Sequence, residues 1–270
     1  MPFLNEMPWK AAEAYFTERD DVAIGVGAIH AHDHIPSGID NISTDYFLRE
    51  IERGTGTLIV PNLPFGPMDN YMDYPGTISL SGPVFTSVVR EVIRDMVRWG
   101  ARRIYVVNGH GGNTSHLLDV GYEFRERGCL VPVLEWWKLI RTIDPDLDRR
   151  VNALPASTQE GRRARTRGTE AAAAMALVPD SMPADSVRVI YSRERLAPPF
   201  DTRFATAVTY RGTPVPLPFG SRETTEIGEV GTQATADMGR QILSACAAFM
   251  VGFINDLNAQ PIPPFEHDPA

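Results

Sequence analysis

The sequence predicts an α/β fold, a mainly parallel sheet covered by helices on both faces in a three-layer α/β/α sandwich, and three observations carry that expectation. Short apolar runs rich in β-branched residues recur without the polar alternation of a half-exposed strand, the composition of strands buried on both sides. Between them lie stretches with the 3.6-residue period of amphipathic helices. Strand, helix, strand, helix at this spacing leaves room for the right-handed crossovers that parallel neighbours need.

Taken in order, Val22 to Ile29 (VAIGVGAI), Leu58 to Leu63 (LIVPNL), Ile104 to Val107 (IYVV) and Leu130 to Leu134 (LVPVL) are the expected strands. Ser43 to Arg53 is the first helical stretch. In Val84 to Trp99, residues Val84, Val88, Val89, Val92, Ile93, Met96 and Val97 fall on one stripe and Gly100 supplies a stop. Thr114 to Arg127 is a third helix, ending at Gly128. Asp144 to Thr169 is polar, arginine-rich and contains Pro155, so a long excursion or flap is expected there. Helix resumes over Glu170 to Leu177. Residues 194 to 230, dense in Pro, Gly and Thr, read as irregular surface or interface segments. An Ala-rich helix from about Gln233 to Asn255 closes the chain. No repeat or linker divides it, so a single domain over 1–270 is expected.

Composition narrows the function. With 43% hydrophobic, 9% aromatic and 22% charged residues, the chain is neither disordered nor fibrous. No window approaches the roughly 18–20 apolar residues that cross a bilayer, and the amino terminus lacks a basic stretch followed by an apolar core, so no membrane partner and no export signal are expected. A net charge of −8 excludes a general nucleic-acid binder. Cys129 and Cys246 lie apart in apolar runs, without metal or redox spacing, which points to buried thiols in a reducing cytoplasm. Asn41-Ile-Ser fits a glycosylation pattern that a cytoplasmic chain would not use.

Four of the six histidines sit in two short segments. In GAIHAHDHIPSGID, residues 27–40, His30, His32 and His34 alternate just after a strand, so His30 and His32 share a face and can point at one ion. The Pro-Ser-Gly turn can fold Asp40 back onto the same point. NGHGGN, residues 108–113, puts His110 on a glycine-rich strand-to-helix turn. Ligands of open α/β sheets gather beyond the carboxyl ends of strands, and both segments meet that condition. Imidazoles with a carboxylate suit a divalent metal, zinc foremost, with manganese or iron as alternatives, one ion or two. His116 and His267 read as ordinary surface or hydrogen-bonded residues.

These segments resemble the creatininase (creatinine amidohydrolase) family, in which a Glu-x-His pair is followed by a second histidine and a Gly-x-Asp. Tyr74-Pro-Gly-Thr-Ile-Ser-Leu, Asn108 to Asn113 and Gly231-Thr-Gln-Ala-Thr-Ala-Asp-Met-Gly239 extend the likeness over about residues 22 to 250. The resemblance implies a layered α/β/α amidohydrolase with a divalent centre, often two metals bridged by an aspartate and a water. It also implies action on non-peptide, frequently cyclic, amide bonds, and assembly as a homo-oligomer, commonly a hexamer. By position, His32, Asp40 and His110 match metal ligands, with Asp40 bridging. Glu170 matches a late glutamate that begins a helix and completes the second site. The chain departs from the family at four places. His30 stands at the first glutamate, one residue is missing before His34, Asn70 and Tyr71 replace a Glu-His pair, and Arg165-Thr-Arg replaces a His-Ala-Gly. Imidazole for carboxylate makes the site more positive, which favours an anionic substrate or a single metal.

The expected reaction is hydrolysis of a small, polar or anionic cyclic amide by a metal-activated water, with His30, His32, Asp40, His110 and Glu170 as ligands. His34 or Glu170 is the candidate acid for the leaving nitrogen. Backbone N–H groups of Gly111 and Gly112 are placed to hold an oxyanion. Trp136 and Trp137 read either as packing residues or, with Tyr71, as aromatic contacts to substrate. Arg162, Arg163, Arg165 and Arg167 form either a solvated loop or an anion clamp. An isomerase, lyase or lactonase using the metal to stabilise an enolate or alkoxide is the alternative reaction, and a catalytically dead metal-binding scaffold is a third reading.

Overall fold

Strands Asp21–Val26 (β1), Leu58–Leu63 (β2), Arg103–Asn108 (β3) and Val133–Glu135 (β4) form one parallel sheet in the order β2-β1-β3-β4. The computed structural model describes residues 3–264 except 33, 73, 154–167, 183–187, 193–195, 197–198, 205–206, 218–224 and 232. β1 and β3 are buried along their whole length, as the apolar runs Val22–Val26 and Ile104–Val107 within them require, with Asp21, Arg103 and Asn108 as buried polar ends.

Side chains alternate across the sheet, and the core divides accordingly. Ala23, Ile59, Tyr105 and Val107 face one layer, built from Ile39–Thr55 (α2), Trp136–Ile143 (α5), Pro145–Val151 (α6), Gly168–Leu177 (α7) and Ala236–Asn258 (α8). Val22, Ile24, Val26, Leu58, Val60, Ile104 and Val106 face the other, built from Gly82–Trp99 (α3) and Thr114–Arg125 (α4), with Tyr15 and Phe16 of Trp9–Glu18 (α1) packed against it. Each fully buried large side chain, such as Phe47, Phe85, Phe124 or Ile51, contributes roughly 1.5–3 kcal/mol of burial. Helix ends follow local chemistry. Gly56 at the end of α2 has φ +67° and Gly100 at the end of α3 has φ +122°, where a β-carbon would be strained. Thr235 caps α8 by accepting the Met238 N–H at 3.2 Å.

Three expectations need correction. The first strand ends at Val26 and the fourth runs over Val133–Glu135 rather than 130–134, because Pro132 has no N–H to offer a ladder. Part of the expected excursion is helix α6: Asp144 accepts the Leu147 N–H at 2.9 Å and Pro145 fills the first helical position. The arginine run 162–167 lies outside the described residues. The stretch 194–230 is not wholly irregular. It carries Phe200–Phe204 (β6), Ala207–Tyr210 (β7) and Thr213–Pro216 (β8) as an antiparallel meander, and Thr225–Gly231 (β9) pairs antiparallel with Arg188–Ser192 (β5). Arg211 and Gly212, with φ +48° and +85°, make the two-residue turn that matches strand twist, and Pro214 and Pro216 are tolerated because β8 is an edge.

Candidate metal centre

Beyond the carboxyl end of β1 the chain turns at Gly27, where a β-carbon would sit 2.0 Å from Asn41 Oδ1. Asn41 ties this turn to the next strand, donating to Ala28 O at 2.9 Å and to Pro64 O at 3.2 Å, so the Asn41-Ile-Ser pattern lies inside α2 with its amide engaged. A tight loop follows, with His30 N–H on Ser37 O at 3.1 Å and Ile35 N–H on His32 O at 2.8 Å. It lays the His30 and His32 rings together, centroids 3.8 Å apart, and returns the chain into α2 with Asp40 in its first turn.

Three imidazoles converge on Asp40. His30 Nε2 lies 3.2 Å and His110 Nδ1 3.0 Å from Oδ2, and His32 Nε2 lies 3.2 Å from Oδ1. His30 Nε2 and His110 Nδ1 are 3.0 Å apart. The far nitrogens decide the protonation. His30 Nδ1 is 2.9 Å from Ala31 O and His32 Nδ1 is 3.0 Å from His30 O, and a carbonyl only accepts, so the proton sits on Nδ1 and the Nε2 lone pair faces inward. Burial, with His32 alongside, pulls the His30 pKa down to about 3, so no second proton bridges His30 to Asp40. Burial pushes the Asp40 carboxyl up, but His32 and the surrounding ring nitrogens outweigh it and hold the group well below the usual carboxylate range. His30 thus turns a lone pair toward the carboxylate at 3.2 Å, a contact that a proton on a neighbouring ring, or a bound cation, has to offset.

Two groups of ligand atoms each lie within 4.8 Å of one another: His30, Asp40 and His110, and His32, Asp40 and Glu170. Asp40 belongs to both. Separations of 3.0–3.2 Å between donors are close to the roughly 3.3 Å edge of a tetrahedron of ligands about 2.0 Å from an ion. The donor set is imidazole and carboxylate alone, which fits zinc, manganese or iron; both cysteines are buried free thiols elsewhere.

The other candidate residues separate clearly. Glu170 is carried in by the first turn of α7. The Tyr71 ring lies over His30, centroids 4.4 Å apart, and Trp137 Cζ2 is 3.9 Å from where a Gly111 β-carbon would be, so both aromatics border the cluster. Gly112 presses on the His110 ring: a β-carbon there would lie 2.8 Å from Nε2 and 2.9 Å from Pro67 O. His34 is exposed on the turn and stands in neither group of ligand atoms. Trp136 must be removed from the substrate wall: it is 1% exposed and packs on Phe47 at 5.8 Å between ring centroids, as part of the core. His116 is bonded to Thr86 at 3.0 Å, on the surface side of Phe85; His267 lies outside the described residues. Asn108, Asn113, Thr114 and Glu135, which frame His110, went unnoticed in the sequence. Asn108 and Asn113 bracket NGHGGN, and polar side chains inside a glycine-rich turn were the signal available.

A layered sheet with a two-position cradle of histidines and carboxylates at its carboxyl edge defines a class, the metal-dependent hydrolases. The Creatininase family profile, described as creatinine amidohydrolase, matches residues 5–254, and the chain belongs to this family of amidohydrolases acting on carbon–nitrogen bonds. It is 27% identical over 259 residues to the creatinine amidohydrolase of Pseudomonas putida, covering 90% of this chain and 92% of that one. A shorter likeness, 24% over 138 residues (47% of this chain, 55% of the other), is to a mycofactocin precursor peptide peptidase of Mycobacterium ulcerans. Among solved structures, a glutamate-to-glutamine mutant of creatininase described as the Zn-Zn type superposes with TM-score 0.72 at 25% identity, covering 96% of this chain and 98% of that chain. A creatininase described as the Mn form gives 0.71 at 24%, covering 96% and 99%. Among the described residues no helix is long and apolar enough to cross a membrane.

Proposed function

We propose that the protein hydrolyses a non-peptide amide bond, cyclic in the first instance, of a small polar or anionic substrate, and that its ligands are His30, His32, Asp40, His110 and Glu170. The observation that carries the reading is the inward convergence of three imidazoles on one shared aspartate. Divalent ions held there supply Lewis acidity toward a carbonyl and bring the pKa of a bound water near neutrality. The chain does the rest. Asp40 spans both positions, and carbonyl oxygens of His30 and Ala31 fix the ring tautomers. Tyr71 and Trp137 border the cluster near His110, whose side chain is 16% exposed where those of His30, His32 and Asp40 are buried. The N–H groups of Gly111 and Gly112, in the 3-10 turn that leads into α4, are the donors this reading assigns to developing negative charge. Glu170, ionised as a ligand, would take up the proton that the attacking water releases and pass it to the leaving nitrogen; His34, being exposed, is the weaker candidate.

The formal charge supports the substrate class. Two carboxylates and three neutral imidazoles leave a two-ion centre with an excess of two positive charges, one more than a glutamate in place of His30 would leave, and that favours an anion. The reading includes a homo-oligomer in a reducing cytoplasm, in keeping with the family resemblance and the free thiols. Metal analysis of the purified protein tests the centre, expecting bound zinc or manganese in the wild type and loss of metal together with turnover in His32→Ala and His110→Ala. A metal-free variant that retains activity would end the proposal. His30 at the family's first glutamate and Arg165-Thr-Arg in place of its His-Ala-Gly support a second reading, an isomerase or lyase on the same centre. Products formed in oxygen-18 water carry label under hydrolysis and none under isomerisation.

A further inference from the structure

The Asn108 and Glu135 residues are register partners at the carboxyl ends of β3 and β4, and their side chains are joined by a single directional run of hydrogen bonds that ends on His110. Its direction is set by Glu135. Lys138 Nζ donates to Oε2 at 2.5 Å, leaving Oε1 to accept from the Thr114 hydroxyl at 2.6 Å. A carboxylate only accepts, so the single hydroxyl proton of Thr114 is committed to it, and the hydroxyl oxygen can only receive from its other neighbour. That neighbour is Asn108 Nδ2 at 3.3 Å. Asn108, fully buried, must therefore turn its Oδ1 the opposite way, where it accepts the His110 backbone N–H at 3.1 Å and Asn113 Nδ2 at 3.1 Å. Asn113 also donates to Gly27 O at 3.2 Å, which joins the His110 turn to the turn that leads into His30 and His32.

We propose that Glu135, acting through Thr114 and Asn108, is a positioning residue that sets where His110 meets the cation. This rests on the reading of His110 as a ligand. Without the carboxylate the threonine hydroxyl could donate to the Asn108 side chain instead, the amide could turn over, and its NH2 would then face the His110 N–H, donor against donor. Gly109 N–H on Val26 O at 2.8 Å anchors the turn to the sheet, and Asn108 Oδ1 is the acceptor that fixes the next N–H, that of His110, so the side-chain run sets how His110 leaves the anchored strand end.

The test is zinc affinity of the full chain, measured by competition with a chromophoric chelator, beside the melting temperature of the metal-free protein. Thr114→Val keeps the shape and deletes the link; it should weaken zinc binding about tenfold, a loss larger than the modest fall in metal-free melting temperature expected from leaving Asn108 Nδ2 without its acceptor. Glu135→Gln should weaken it by less, and Thr114→Ser should restore it. Wild-type affinity in Thr114→Val overturns the inference. So does an affinity loss that Thr114→Ser fails to rescue and that tracks a fall in melting temperature, the mark of a merely structural link. His110→Ala separates the two levels. If it binds zinc as the wild type does, the metal centre is misread and the inference falls with it; if it loses zinc while Thr114→Val does not, only the positioning role falls.

Discussion

Asp21 and Asp40 are two buried aspartates at opposite ends of one strand, 2% and 3% exposed, and they keep opposite company. Asp21 opens β1. It receives Arg19 through Nε and Nη2, both at 2.8 Å, the Thr57 hydroxyl at 2.6 Å, the Tyr15 hydroxyl at 3.0 Å and Asn258 Nδ2 at 3.1 Å. Every neighbour is a donor, and the arginine pairs bidentately. Asp40, past the other end of β1, is ringed by imidazole nitrogens, and at least His30 presents a lone pair rather than a proton. Burial alone therefore says nothing about function. A carboxylate ringed by permanent donors is a finished structural joint, and one ringed by imidazoles, whose nitrogens give up a proton to take an ion, is a ligand set. Cavities mislead in the same way: a cleft of about 370 Å³ opens at the Asp21 end between Phe16, Arg19, Asp20 and Asn258, yet two of its three carboxylates, Asp20 and Asp21, already pair with Arg103 and Arg19.

The sharpest way to break this contrast is to neutralise each aspartate in turn. Asp40→Asn should abolish bound metal and turnover, while the metal-free protein melts no lower than the wild type, because the new amide can donate to an imidazole that previously met a lone pair. Metal analysis with thermal denaturation reads both. Asp21→Asn should do the reverse, keeping metal and activity at low temperature while losing about 3 kcal/mol of stability in urea, the range for breaking a buried charged pair. If Asp40→Asn destabilises the metal-free protein as much as Asp21→Asn does, the two ends are alike and the cation argument fails. Zinc at a hundredfold over its dissociation constant should raise wild-type stability by about 2.7 kcal/mol and leave Asp40→Asn unmoved.

What could be read in advance follows the same division. The sheet was legible because β1 and β3 are buried on both faces and carry no polar interruption, and α3 because its apolar stripe repeats at helical spacing. The convergence of His30, His32, Asp40 and His110 was legible because each belongs to a short segment just past a strand, the place where ligands of such sheets gather. Trp136 was misassigned because sequence cannot say which of two adjacent aromatics turns inward: successive side chains at the start of α5 diverge, so Trp136 lies on Phe47 and Trp137 near Gly111. The Asp21 joint and the Glu135 run were invisible, since Arg19, Thr57, Asn258, Thr114 and Glu135 are common polar residues whose partners are set only by tertiary packing. The β6–β8 meander was hidden by its prolines, which read as breakers and here sit on an edge.

A milder change at the metal end tests whether position, rather than charge, is what the glycine-rich turn supplies. In Gly112→Ala the new methyl would meet the His110 ring at 2.8 Å and Pro67 O at 2.9 Å, closer than carbon approaches either. The ring can swing away where the carbonyl cannot, so the expected result is a displaced His110 and zinc binding weakened about tenfold, near 1.4 kcal/mol, with the fold intact. Unaltered affinity would mean that His110 tolerates displacement and contributes little to the centre.

The smallest effect expected is an acid limb of stability belonging to the Asp21 end. Burial raises the Asp21 carboxyl, but hydrogen bonds from Arg19 and Thr57 outweigh it and the net shift is downward. A carboxyl with a folded pKa below its unfolded value adds stability that is present above the unfolded value, about 3.9 for aspartate, and disappears as pH falls through the folded one. Metal-free wild type should therefore lose this contribution only below about pH 4, and Asp21→Asn, having no such group, should show a shallower decline over the same range. Urea titrations at pH 3 to 7 on the two proteins, with chelator present so that the metal end is silent, compare the slopes directly. Equal slopes would mean that Arg19, 32% exposed, is too well solvated to hold the carboxylate, and that the Asp21 joint owes its strength to Thr57 and Asn258 through hydrogen bonds indifferent to charge.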